Sequence, residues 1–121
     1  MKKIYYHKLI RDRVPLVMKK NGAAFRVKRL DLKSYQRELL KKVGEEASSL
    51  PRLRSKREMA SELADTIDVI NAIKRTFKIS ERQIKSEQRK AFVRKGGFKK
   101  RLFLFWAEDT GYRTNERRYK K

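Results

Sequence analysis

Apolar residues along this chain recur at helical spacing in separate stretches. Leu32, Tyr35, Leu39, Val43, Ala47 and Leu50 follow one another at steps of three and four, which is the mark of an amphipathic helix. Asp31 or Ser34 is placed to cap it, and Pro51 helps to end it. Ser55 with Glu58 three residues on forms a capping box and opens a further helix to about Phe77. Ser80 with Gln83 repeats the device, and Gly96-Gly97 is a natural terminator for the helix that follows. Ahead of these, Pro15 suits the first turn of a short helix, with Asn21-Gly22 as its stop.

The remaining stretches have weaker patterns. Tyr5 to Ile10 fits a short extended segment, and Ala23 to Leu30 a connector with room for a strand. Leu102 to Trp106 is a continuous apolar run, short enough for a buried strand or one helical turn. Phe98, Phe103, Phe105 and Trp106 suit a core or a dimer contact better than a platform for stacked bases. Gly111 to Lys121 is polar and basic, the composition of a frayed tail. Three substantial helices with short connectors predict an all-α helical bundle, a single domain over 1–110 with a basic tail over 111–121. So small a domain has few ways to cover Met59, Ile67, Ile70 and Ile73 together with the 102–106 run, which predicts a homodimer.

Composition removes several kinds of chemistry. There is no cysteine, so disulfides and thiolate metal sites are excluded. His7 is the only histidine, which argues against a histidine zinc site or a Ser-His triad. The chain has no apolar run of the ~20 residues that span a bilayer, and Met1-Lys2-Lys3 leads into too little apolar sequence for a signal peptide. A soluble protein of the cytoplasm or another intracellular compartment is expected, with no membrane partner. The net charge of +21 is unevenly spread: residues 1–30 and 88–121 carry +9 each, and residues 31–87 only +3. A field of that sign attracts polyanions such as nucleotides or nucleic acid.

The acids in the middle are the candidate chemistry. Residues 59–73 contain no lysine or arginine, yet carry Glu62, Asp65 and Asp68, with Glu58 just before. Steps of four, three and three set these acids on one side of a helix. A solvated face in so basic a chain should show basic residues four positions from the acids, yet Glu62 has Glu58 and Thr66 there, and Asp65 has Ser61 and Val69. Either a metal ion or a basic side chain from another helix would relieve the crowding. On the preceding helix Glu46 lies beside the apolar line, and Glu45 lies further round, towards Lys41 and Lys42. Carboxylates projected from two facing helices suit Mg²⁺ or Mn²⁺.

Glu45-Glu46-Ala47-Ser48-Ser49 followed by Glu62-Leu63-Ala64-Asp65 resembles the E-E-x-x-E and E-x-x-D signature of the MazG-like, phosphoribosyl-ATP-pyrophosphohydrolase-like superfamily. Lys8-Leu9-Ile10-Arg11-Asp12-Arg13-Val14-Pro15 and Arg94-Lys95-Gly96-Gly97-Phe98 look like a subgroup of predicted house-cleaning pyrophosphatases. Order and spacing agree from about residue 5 to 105.

The resemblance implies a MazG-like bundle that hydrolyses a nucleoside triphosphate to a monophosphate and pyrophosphate with Mg²⁺ or Mn²⁺. It implies Glu46, position 49, Glu62 and Asp65 as metal ligands. Position 49 departs from the pattern, being Ser49, a neutral and poor ligand. Glu45 or Asp68 is then the candidate base, and Lys8, Arg11, Arg94 and Lys95 the candidates for binding substrate phosphates. Ser49 and the two basic ends also allow a different expectation: a catalytically inactive member of the same fold that binds RNA, as a part of a ribosome or another ribonucleoprotein.

Overall fold

The computed structural model describes residues 2–111, and the 112–121 part of the expected tail lies outside them. The described residues form helices α1 (Val14–Lys20), α2 (Leu32–Ser48), α3 (Lys56–Thr76) and α4 (Glu81–Lys95), with one 3₁₀ turn, Leu50–Arg52, between α2 and α3. No strand occurs among them, so the all-α class holds. Two compact units divide the chain, one ending at Lys85 and the other beginning at Ser86.

Local chemistry fixes the helix ends. Asp31, not Ser34, caps α2: its carboxylate accepts from the Ser34 N–H at 2.8 Å. Ser55 Oγ accepts from the Glu58 N–H at 3.0 Å, while the Glu58 carboxylate reaches back to the Arg54 N–H, one residue beyond the cap. The Ser80–Gln83 box is fully reciprocal, at 3.1 and 2.8 Å. Pro15 sits in the first turn of α1. Gly22 and Gly96 take left-handed φ of 75° and 80° beyond the ends of α1 and α4. The end of α3 carried no such signal. There Lys78 takes φ 56°, its N–H bonds Arg75 O at 3.2 Å, and the Ile79 N–H bonds Lys74 O at 2.9 Å. This is a Schellman closure with a lysine where glycine is usual.

The packed part of the first unit is an antiparallel hairpin of α2 and α3. Near one end the Gln36 amide donates to the Thr76 carbonyl at 3.1 Å. At the other, Glu46 meets Glu62. Leu39 and Val69, 5% and 8% exposed, are the buried hydrophobic residues of the described chain. Residues 8–11 are tied to both helices: Lys42 Nζ donates to the Leu9 carbonyl at 3.3 Å, and Arg11 reaches α3.

Two local expectations fail, and a third segment keeps to the plainer of its two options, a connector without a strand. Tyr5 to Ile10 forms no strand, and His7 interrupts it with φ 46°. Ala23 to Leu30 is irregular and mostly exposed. In the second unit Leu102 to Trp106 is neither strand nor helical turn, and Phe98, Phe103, Phe105 and Trp106 are exposed rather than core. An unbroken apolar run without a partner surface has no face to bury. Within the apolar line of α2, Leu32 is 63% exposed and Ala47 is also exposed, so the buried stripe is narrower than the sequence pattern.

Candidate carboxylate site

Glu46 lies two turns beyond Leu39 on the inner side of α2, and Glu62 and Asp65 lie before Val69 on the inner side of α3. Antiparallel packing of the two helices brings the three together. One oxygen from each carboxylate lies within 4.8 Å of the others, and all three residues are half-buried. The Glu46 and Glu62 carboxylates lie close enough to interact directly. That contact lowers the Glu46 pKa, with Lys42 and Lys8 adding to the effect, and it raises the Glu62 pKa, with the charges of Glu46 and Asp65 adding to it. Like charges this close disfavour full ionisation of the pair, and a proton or a cation between them relieves the repulsion.

Ser49, the residue just past α2, faces the same place. Its hydroxyl donates to the Glu46 carbonyl at 2.9 Å and also interacts with the Glu62 carboxylate, which it draws downward in pKa. Position 49 is thus beside the carboxylates, where a longer acidic side chain would join them.

Basic partners arrive from outside residues 59–73. One guanidinium nitrogen of Arg11 lies 2.8 Å from both Asp65 Oδ1 and Asp68 Oδ2. Lys42 Nζ lies 3.4 Å from Glu46, one helical turn along α2. The absence of lysine and arginine in 59–73 therefore does not leave the acids without cations. The i,i+4 spacing of Lys42 and Glu46 was readable in the sequence; the approach of Arg11 across 54 residues was not.

Of the other candidates, Lys8 sits over the Tyr6 ring, 5.4 Å from its centroid, while its charge reaches Glu46. Glu45 is exposed, adjacent to Glu46. Arg94 and Lys95 are exposed in the last turn of α4, in the second unit. An open depression of about 600 Å³ is lined by Leu53, Ser55, Arg57, Glu58, Ser61 and Glu62. It shares Glu62 with the carboxylates and adds Arg57, a cation that spacing alone did not single out.

Comparison of the chain with family models, with curated proteins and with solved structures gives no match in any of the three.

Proposed function

We propose that this chain is a divalent-metal-dependent nucleoside triphosphate pyrophosphohydrolase of the MazG-like kind, with one carboxylate fewer than the signature. The observation that carries the reading is the meeting of Glu46, Glu62 and Asp65 oxygens from two helices within 4.8 Å, beside a depression that shares Glu62. The donor set fits Mg²⁺ or Mn²⁺: three hard anionic oxygens, half-buried, with the Ser49 hydroxyl next to them. A bound ion would polarise the phosphates and favour the ionised form of an attacking water.

The chain's own residues supply the rest. Glu46, Glu62 and Asp65 would hold such an ion between the two helices. Glu45 and Asp68 flank the cluster, one residue before Glu46 and three after Asp65; Asp68 is engaged by Arg11, so Glu45 is the candidate to take the proton of the water that attacks the α-phosphorus. Pyrophosphate leaves and the nucleoside monophosphate remains. Lys8, Arg11 and Arg57 supply positive charge around the carboxylates and the depression, and Arg94 and Lys95 supply it on the second unit. The working form is a homodimer. Met59, Leu63, Ile67 and Ile70 form an exposed apolar stripe on α3, away from Val69, and a hairpin with so small a core gains most by covering it with a second copy.

Ser49→Glu tests the site. The added carboxylate gives the ion another hard ligand, so both Mn²⁺ affinity and triphosphate hydrolysis should rise. Failure of the wild type and of Ser49→Glu to hydrolyse any of a broad panel of nucleoside triphosphates with Mg²⁺ or Mn²⁺ would refute the enzyme.

A second reading has its own support. Arg11 and Lys42 already balance part of the acidic charge, and Phe98 to Trp106 exposes aromatic residues beside Lys99, Lys100 and Arg101. That combination suits RNA, through phosphate contacts and base stacking. An inactive, RNA-bound chain would show nucleic-acid affinity that is tighter than the non-specific range of roughly 10⁻⁴ to 10⁻⁶ M and falls steeply with salt.

A further inference from the structure

Asp65 belongs to two arrangements at once. It completes the cluster with Glu46 and Glu62, and it accepts from Arg11, whose same nitrogen also serves Asp68. A divalent ion in the cluster must therefore share Asp65 with a guanidinium or displace it. Two cations on one carboxylate repel each other, and the outcome depends on which is held more firmly.

Arg11 is the weaker competitor. Its side chain is 60% exposed and those of Asp65 and Asp68 are 44% and 58% exposed, so water screens both ion pairs. It sits in irregular backbone just ahead of α1, where a swing of the side chain strains no helix. A metal ion held by three carboxylates has more to gain from Asp65 than Arg11 has. Once displaced, the guanidinium stays close through Asp68 and presents free N–H groups suited to phosphate oxygens.

Resting on the metal-site reading above, we propose that Arg11 is a tethered cation that occupies Asp65 until a divalent ion replaces it, and is thereby released to bind the substrate's phosphates. Metal and triphosphate then bind with positive coupling through one side chain. By linkage, an anion that draws Arg11 away raises metal affinity by the same factor as the metal raises anion affinity.

The test is Mn²⁺ titration of the full chain followed by electron paramagnetic resonance, for the wild type, Arg11→Gln, Arg11→Lys and Glu62→Gln. Glu62→Gln should weaken binding, because it removes a ligand. Arg11→Gln should tighten it about two- to fivefold, the range of an exposed ion pair, with Arg11→Lys between it and the wild type. An α,β-methylene triphosphate analogue should tighten Mn²⁺ binding by a smaller factor in Arg11→Gln than in the wild type. If Glu62→Gln weakens binding and Arg11→Gln leaves it unchanged or weaker, the exchange is wrong and the metal site stands. If Glu62→Gln binds Mn²⁺ as the wild type does, the metal site is wrong and the exchange falls with it. Helical circular dichroism checks the fold of each variant. Should Arg11→Gln lose helix, Arg11→Lys decides, and an affinity no higher than that of the wild type overturns the exchange.

Discussion

The α2–α3 hairpin and the stretch from Gly96 to Gly111 hold apolar residues in comparable density but treat them differently. In the hairpin, apolar positions are spaced by three and four, polar residues fill the gaps, and capped ends fix where each helix starts. Leu39 and Val69 can then be buried while Glu46, Glu62 and Asp65 are set beside them. After Gly96, Leu102 to Trp106 are all apolar and contiguous, and each is more than two-thirds exposed. Burial follows the period of the pattern rather than its hydrophobicity. The same ordering that makes a core also makes a site, because it fixes which polar side chains lie at its edge.

The largest effect should separate the two regions by stability. Leu39→Ala empties the best-buried position of the hairpin, and truncations of that kind cost about 2–5 kcal/mol. Leu104→Ala removes more than half of a side chain that touches mostly water, and should stay within about 0.5 kcal/mol. Urea denaturation followed by helical circular dichroism measures both. Comparable losses for the two variants would mean that the 102–106 run is covered in solution.

Next in size is the apolar stripe on α3. Light scattering at micromolar concentration should give twice the chain mass of 14.5 kDa. Ile67→Lys, at a residue 54% exposed within one chain, places a charge in the covered stripe and should return the mass to that of a single chain. A wild type already at 14.5 kDa would rule out the homodimer.

Much of the hairpin was legible in the residues. The Ser55–Glu58 and Ser80–Gln83 boxes set helix starts that are local events, decided within four residues. The spacing of Glu62 and Asp65 fixed their common side of α3. What spacing did not show was set at longer range or by backbone cost. Arg11 reaches Asp65 and Asp68 only once residues 8–11 lie against the hairpin. Lys78 closes α3 in a left-handed conformation that a sequence reader reserves for glycine or asparagine. The extended segment at 5–10, and the strands that 23–30 and 102–106 had room for, had apolar residues but no partner strand, and partnership is not a property of a single segment.

The smallest effect is a pair of opposed pH dependences within the hairpin. Asp31 has its pKa lowered, first by the hydrogen bond from the Ser34 N–H and then by the Ser34 hydroxyl. Its ionised form is the better cap, so this contribution is complete above the ordinary aspartate range and fades as pH falls through the lowered value. Glu62 is shifted the other way, chiefly by its close contact with the Glu46 carboxylate. Its protonated form is the favoured one, so that contribution is complete below the ordinary glutamate range and fades as pH rises through the raised value. Urea midpoints of the metal-free chain should therefore show two separable slopes, each small because these groups are accessible to water. Asp31→Asn keeps a capping oxygen but cannot titrate, and should reduce the acid-side slope without abolishing it, because Glu46 and Glu81 also have lowered pKa values. Glu62→Gln keeps a hydrogen-bonding side chain without the charge, and should flatten the loss above the glutamate range while also shifting the acid side, because Glu62 is the main cause of the lowered Glu46 pKa. Mn²⁺ should also remove that loss in the wild type, because a cation among Glu46, Glu62 and Asp65 relieves the repulsion that raises the Glu62 pKa. If Glu62→Gln follows the wild type at every pH without metal, the Glu46–Glu62 contact is too weak in solution to prepare a cation site.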